Sequence, residues 1–204
     1  MVRRTKEQAE ATREQLLDAA ETLFCEKGVA STTLDLIARA AGVTRGAVYW
    51  HFKNKAEIFE AVCDRATSPM ETMLDTLAAD PGEDPLGALE RQARDILMMV
   101  ATDTRMRSVL EILFRGFDGG AEFAEYLARE EENKRRCRCQ IESVLKVAIA
   151  RGQVSPKLDA ADGAIALTAF VGGIMHDWVT DADYDLARLA PWLTEIFFRG
   201  LRHS

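Results

Sequence analysis

The stretch Thr32-Thr33-Leu34-Asp35-Leu36-Ile37-Ala38-Arg39-Ala40-Ala41-Gly42-Val43-Thr44-Arg45-Gly46-Ala47-Val48-Tyr49-Trp50-His51-Phe52 decides the fold. Leu34, Ile37, Ala38 and Ala41 repeat at helical spacing. Thr32 or Thr33 stands where an N-cap belongs. Gly42 ends this short helix, because it accepts the positive φ of a tight turn. Thr44 can cap a second short helix, about residues 45–51. Ala38, Gly42 and Val48 then occupy the hinge positions of a helix-turn-helix. Ala38 is small where the helices cross, and Val43 and Val48 face inward to lock the angle. A unit of this kind lays its second helix in the major groove of DNA.

The outward residues of that second helix suit the task. Arg45 can pair bidentately with a guanine edge. Gly46 and Ala47 keep the leading edge slim. Tyr49 can bond a phosphate oxygen or touch a thymine methyl, with core packing as its second reading. Trp50 reads as a core aromatic ahead of a DNA contact. His51, Lys53 and Lys55 stand where phosphates should pass, Lys55 at the start of the next helix, where the dipole draws anions. Thr33 and Thr44 offer hydroxyls to phosphates. Arg3 and Arg4, with Lys6, make a basic arm for the backbone or minor groove.

The charge distribution agrees with this reading. The net charge is −7 over 204 residues, but residues 1–56 sum to +2 and residues 57–204 to −9. The 21 residues between Asp35 and Glu57 contain no acid, where the average content would place about three. The same stretch holds Arg39, Arg45, His51, Lys53 and Lys55.

Outward from this core, almost every segment reads as helix. A first helix spans about residues 9–27, from Leu16, Leu17, Ala20, Leu23 and Phe24, and Gly28 closes it. Asn54-Lys55-Ala56-Glu57 resembles a capping box and opens a fourth helix that runs toward Leu77, with a bend at Ser68-Pro69. Asp80-Pro81-Gly82-Glu83-Asp84-Pro85 is the clearest break, with Asp84 as cap and Pro85 at the first helical position. Further helices fill about 85–101, 103–115, 121–152, 159–180 and 185–202. Pro191 implies that the last one starts late or kinks.

Several classes are excluded. No uncharged apolar run approaches a membrane span, and the basic start leads into a charged helix and not a signal segment. The expected setting is the cytoplasm. Cys25, Cys63, Cys137 and Cys139 have no zinc-ligand spacing and read as reduced thiols; no metal and no cofactor are expected. An enzyme is disfavoured: there is no Gly-rich phosphate loop, H-E-x-x-H or nucleophile elbow. Histidines at 51, 176 and 203 alone supply little acid–base chemistry. A pure scaffold would leave the helix-turn-helix chemistry unexplained.

Thr32-Thr33-Leu34, Ile37-Ala38, the run Ala41 to Phe52 and Lys53-Asn54-Lys55 resemble the signature of the TetR family. Arg4-Thr5-Lys6-Glu7 with Thr12-Arg13 looks like the AcrR/TtgR-like multidrug-efflux repressors of that family. Asp84-Pro85-Leu86 and Glu111-Ile112-Leu113 are weaker echoes. The match is strong over about 60 residues and patchy beyond. The resemblance implies an all-α protein of about nine helices. A three-helix DNA-binding domain would span residues 1–56, and a six-helix ligand-sensing and dimerisation domain residues 57–204. It implies DNA contact at Arg45, Gly46, Tyr49, His51 and Lys55.

It also implies a homodimer through the last two helices. Phe170, Gly173, Ile174 and Trp178 would face Trp192, Leu193, Ile196 and Phe197, the glycines allowing close approach; filling of the monomer core is the alternative. An apolar chamber is implied between the fourth and eighth helices. Its candidate walls are Met73, Leu77, Ile96, Leu97, Val100, Leu110, Phe114, Cys137, Ile141, Val144, Thr168, Val171 and Met175, with His176 as a polar contact; ordinary core is the bland alternative for each. The expected function is a repressor that binds a palindromic double-stranded operator and is released by a hydrophobic inducer, controlling an efflux pump. A regulator of lipid or other metabolism is the alternative.

Overall fold

The computed structural model describes residues 6–115, 117, 120–181 and 183–203, except the side chain of residue 203. Arg3 and Arg4 of the expected basic arm lie outside the described residues. Among the described residues the architecture is all-α: α1 Lys6–Lys27, α2 Leu34–Ala40, α3 Arg45–His51, α4 Lys55–Ala79, α5 Pro85–Thr102, α6 Thr104–Arg115, α7 Ala124–Ala150, α8 Ala160–Asp181 and α9 Leu186–His203. A 3-10 turn, Ala121–Phe123, precedes α7.

Local chemistry sets these boundaries. Pro85 opens α5, and the Asp84 carboxylate accepts from the Gly87 N–H at 3.0 Å. A Cβ on Gly87 would collide with that carboxylate, so the cap requires glycine there. The helix expected across residues 121–152 starts instead as a 3-10 turn, tightened by the Phe123 N–H to the Gly120 carbonyl at 2.8 Å. It ends at Ala150, where Gly152 turns at φ 71 and the Gln153 N–H reaches back to the Ala148 carbonyl.

The prolines interrupt neither helix. α4 runs unbroken through Pro69. α9 begins at Leu186, so of the two expected effects of Pro191 the late start is not seen; Asp185 caps the helix through the Arg188 N–H at 3.0 Å. Each proline removes one backbone donor; near Pro191, the Thr194 hydroxyl donates to the Ala190 and Pro191 carbonyls.

The chain forms two compact units. One takes in the chain to Ala66 together with Ser108–Leu127; the other takes in Thr67–Arg107 and Ala128 onward. The division expected after residue 56 therefore falls inside the first unit. The physical reason is the apolar face of α4: Ile58, Phe59, Val62 and Ala66 are buried with Leu16, Leu17 and Phe24 of α1, Ile37 of α2 and Val48 of α3. Phe59 stacks on Phe117 at 4.6 Å and meets Phe123 and Tyr126 edge-on. Arg65 ties α4 to α1 by reaching Glu14, Asp18 and Glu21 at 2.6–3.0 Å. The second unit has its own core from Leu74, Leu86, Leu89, Ile141, Val144, Leu145, Leu167 and Phe198. Gly163 lets α8 approach α7, since a Cβ there would sit 2.9 Å from Leu145.

Candidate functional site

The first candidate site is built by α2 and α3. Thr33 caps α2, its hydroxyl accepting from the Leu36 N–H at 3.3 Å, so Thr33 and not Thr32 holds the cap; the Thr32 side chain is buried. Gly42 sits at φ 67. The Gly42 N–H returns to the Arg39 carbonyl and the Val43 N–H to the Ala38 carbonyl, which closes the turn. Thr44 then caps α3 through the Ala47 N–H at 3.2 Å. Val48 is fully buried, and Arg45, Gly46 and Tyr49 face outward, exposed. Trp50 is 70% exposed, so its core-packing reading is overturned: on a helix this short Val48 alone fills the inward position.

Arg45 is held before any partner arrives. Its Nε forms an ion pair with Asp35 at 3.3 Å and its Nη2 donates to the Tyr49 hydroxyl at 3.2 Å, with the guanidinium 5.5 Å from the Tyr49 ring centre. The Tyr49 hydrogen bond, then Asp35, push its pKa further up. Those two contacts leave the far edge of the fork, which is the edge a guanine needs. A Cβ on Gly46 would meet nothing nearer than 3.9 Å, so no neighbour within the chain demands glycine at that position. His51 is half-buried between Trp50 and Phe52 rings, and Lys53 is exposed.

Lys55 differs from expectation. Its ammonium donates to the Val29 carbonyl at 3.0 Å and the Ala30 carbonyl at 3.4 Å and pairs with Glu122 at 3.1 Å, with only 14% of the side chain exposed. It clamps the α1–α2 loop and is not presented to phosphates. Around it Asn54 caps α4 through the Glu57 N–H at 2.8 Å, and Glu57 accepts from the Lys53 N–H at 2.6 Å.

The second candidate site is a cavity of about 560 Å³ in the second unit, between α4, α5, α7 and α8. Ile96, Cys137, Ile141, Thr168, Val171 and Met175 line it, as expected from sequence. Burial pushes the Cys137 thiol up in pKa, which keeps it protonated. Met73, Leu77, Leu97, Val100, Leu110, Phe114, Val144 and His176 do not line it. Their helix faces explain this. On α4 the cavity side is the stripe Thr67, Met70, Glu71 and Leu74, which leaves Met73 turned away and Leu77 packed on the core. Leu97, Val100 and Val144 are fully enclosed by protein. Leu110 and Phe114 belong to the first unit, and His176 lies exposed, a third of a turn beyond Met175. Sequence reasoning missed Leu89, Gln92 and Ala93, although 89, 92, 93 and 96 share one helical stripe.

The third surface is the exposed side of α8 and α9. Trp192 is 57% exposed, with Ile165 and Ile196 near half. Gly173 is exposed and a Cβ there would meet nothing, while Ile174 and Leu193 are half-buried. Phe170 and Phe197 stack at 4.7 Å within the chain and stay half-buried. Trp178 does not belong to this surface. It is 6% exposed, its indole N–H donates to the Tyr184 carbonyl at 3.0 Å, and the Arg107 guanidinium lies 4.6 Å over its ring. It is core of its own protomer.

The chain matches the model for bacterial regulatory proteins of the tetR family over residues 16–62, and that for the MAATS-type transcriptional repressor C-terminal region over residues 84–203. It is 35% identical over 208 residues to the HTH-type transcriptional regulator TtgR of Pseudomonas putida, covering 95% of this chain and 99% of the relative. NalD, the secondary repressor of the MexAB-OprM multidrug efflux pump in Pseudomonas aeruginosa, has a similar structure. The TM-score is 0.86 at 35% identity, with 98% of this chain and 100% of that one covered. The SmeT–triclosan complex matches with a TM-score of 0.80 at 35% identity, over 91% of this chain and 90% of that one. SmeT is the repressor of the Stenotrophomonas maltophilia multidrug efflux pump SmeDEF. The helix-turn-helix of α2 and α3 lies within the first match and α5 to α9 within the second, and the chain belongs to the TetR family of bacterial transcriptional regulators.

Proposed function

We propose that this repressor acts in the cytoplasm, binds a palindromic operator as a homodimer, controls a multidrug efflux pump, and leaves DNA when a hydrophobic molecule fills the cavity of the second unit. The observation that carries the reading is α3, with Val48 sealed inward and Arg45, Gly46, Tyr49 and Trp50 on the outside. Thr33, Thr44, His51 and Lys53 complete the DNA contacts, and Lys55 acts through the loop it clamps. Gly173, Ile174, Trp192, Leu193 and Ile196, flanked by Phe170 and Phe197, form the dimer face.

Release follows from linkage: the ligand must bind the DNA-incompetent geometry better than the competent one. α4 carries Lys55 at its start and the cavity residues Thr67, Met70, Glu71 and Leu74 farther along, so a shift of this one helix is felt by both. The test is a gel shift on the DNA upstream of the protein's own gene, at fixed salt, with triclosan as first probe because the similar repressor SmeT binds it. A shifted band that disappears with ligand supports the reading. Tight ligand binding with unchanged operator affinity would defeat the release mechanism.

A further inference from the structure

Gln92 is the polar residue in the cavity wall that the fold leaves unexplained. It is 8% exposed and lies on α5 in the stripe Leu89, Gln92, Ala93, Ile96 that faces the cavity. Other buried polar side chains are accounted for locally: the hydroxyls of Thr12, Thr32 and Thr194 donate to carbonyls of their own or a neighbouring turn. Among the described residues no protein group bonds the Gln92 carboxamide. The carboxamide therefore faces the cavity with its hydrogen-bonding capacity open to whatever fills it. Leucine or methionine would fit that stripe with no amide to satisfy.

The charged groups around the cavity narrow the chemistry further. Lys134, Arg136 and Arg138 border it, against one acid, Glu71. Glu71 is already paired with Arg136 at 3.1 Å, and Arg136 also reaches Asp75 at 3.8 Å. With Arg136 and Glu71 neutralising each other, a cationic ligand would still meet the like charges of Lys134 and Arg138, and the one carboxylate in this lining is already paired.

The geometry points to an inducer that is an apolar, uncharged or weakly acidic molecule carrying a hydroxyl or carbonyl that hydrogen-bonds the Gln92 carboxamide, with lipophilic cations excluded. This rests on the reading of the cavity as the ligand chamber. A carboxamide both donates and accepts, so a phenol or alcohol can engage it in either direction. Selectivity arises because a ligand without that group leaves the amide buried and unpaired. A volume of about 560 Å³ suits a molecule of two to four rings.

Calorimetric titration of the full-length protein with three probes tests this: 4-benzylphenol, 4-benzyltoluene, which replaces the hydroxyl by a methyl, and tetraphenylphosphonium. The phenol should bind roughly tenfold tighter than its methyl analogue, and the cation should show no saturable binding. Gln92→Leu should abolish the preference and raise the melting temperature of the free protein, a gain that a merely structural glutamine would not give. Gln92→Met, which keeps the unbranched shape, should repeat both effects if the leucine variant misfolds. Equal affinity of phenol and methyl analogue for the wild type would overturn the assignment and leave the chamber reading intact. So would a preference that survives in a folded Gln92 variant, or saturable binding of the cation. Failure of all three probes to bind would overturn the chamber reading with it.

Discussion

Arg45, the residue proposed to read a base, is held in place before DNA is met. Asp35 holds its Nε and Tyr49 its Nη2, so the fork is fixed while its distal edge stays available. Arg45→Ala should cost about 1–3 kcal/mol on the operator and blur one base position. Asp35→Ala separates positioning from charge. Removing this acid should strengthen binding to random DNA, because the local potential becomes more positive, yet weaken the base preference at the position Arg45 reads. Selection of duplexes from a random library by each variant, with affinities at fixed salt, measures both; a parallel rise in specific and random affinity would show that Asp35 only repels phosphates. Gly46 offers a second separation. Alanine meets no neighbour there, so Gly46→Ala should keep or raise stability by up to about 1 kcal/mol. It should still weaken operator binding, because the added methyl stands on the face that must enter the groove. Melting curves and shift assays on the same preparation check the pair.

At the scale of the element, what the sequence reveals depends on how local the cause is. The caps Thr44, Asn54 and Asp84 are legible because partner and cap are three residues apart, and Thr33 is legible as one of two adjacent threonines. Lys55 was not, because its partners Val29, Ala30 and Glu122 are about 25 and 67 positions away, and a lysine beside a helix-turn-helix reads equally as a phosphate contact. Lys55→Met should therefore destabilise the head by about 1.5–3 kcal/mol in denaturant melts, the cost of a charge-assisted bond. The salt slope of DNA binding should stay unchanged; a slope flattened by about one would restore the phosphate contact. The cavity was half legible for a related reason. Apolar periodicity names the inward arc of each helix, but which part of that arc borders a void depends on four helices at once, so Leu97 and Ile96 looked alike. Gly87 shows the reverse case, a glycine demanded by its neighbour. Gly87→Ala should expel the Asp84 carboxylate from the α5 cap and cost about 1–2 kcal/mol. In a double-mutant cycle with Asp84→Ala the two losses should fall well short of additive, because both remove the same cap.

At the scale of the whole molecule, one head is insufficient. Two half-sites about 34–36 Å apart require two recognition helices in one assembly, and tethering raises the effective concentration of the second by a factor that turns weak contacts into tight binding. The surface proposed for that pairing is the outer side of α8 and α9, where Trp192 and Ile196 lie exposed and a Cβ on Gly173 would meet nothing. Trp178 on the same helix pair serves a different purpose, as its indole bond to Tyr184 and its contact with Arg107 are internal. The two tryptophans should therefore respond differently. Trp192→Glu combined with Ile196→Glu places acids on the pairing face and should yield a folded monomer by sedimentation, with an unchanged helical spectrum. Affinity for the full palindrome should fall roughly 10²–10⁴-fold, toward that for an isolated half-site. Trp178→Ala should lower the melting temperature through a cavity cost of about 3–5 kcal/mol, while below melting the dimer dissociates no more readily than the wild type. If Trp178→Ala instead produced stable monomers, and the acidic pair left the dimer intact, the pairing face would lie on the side of α8 that carries Trp178.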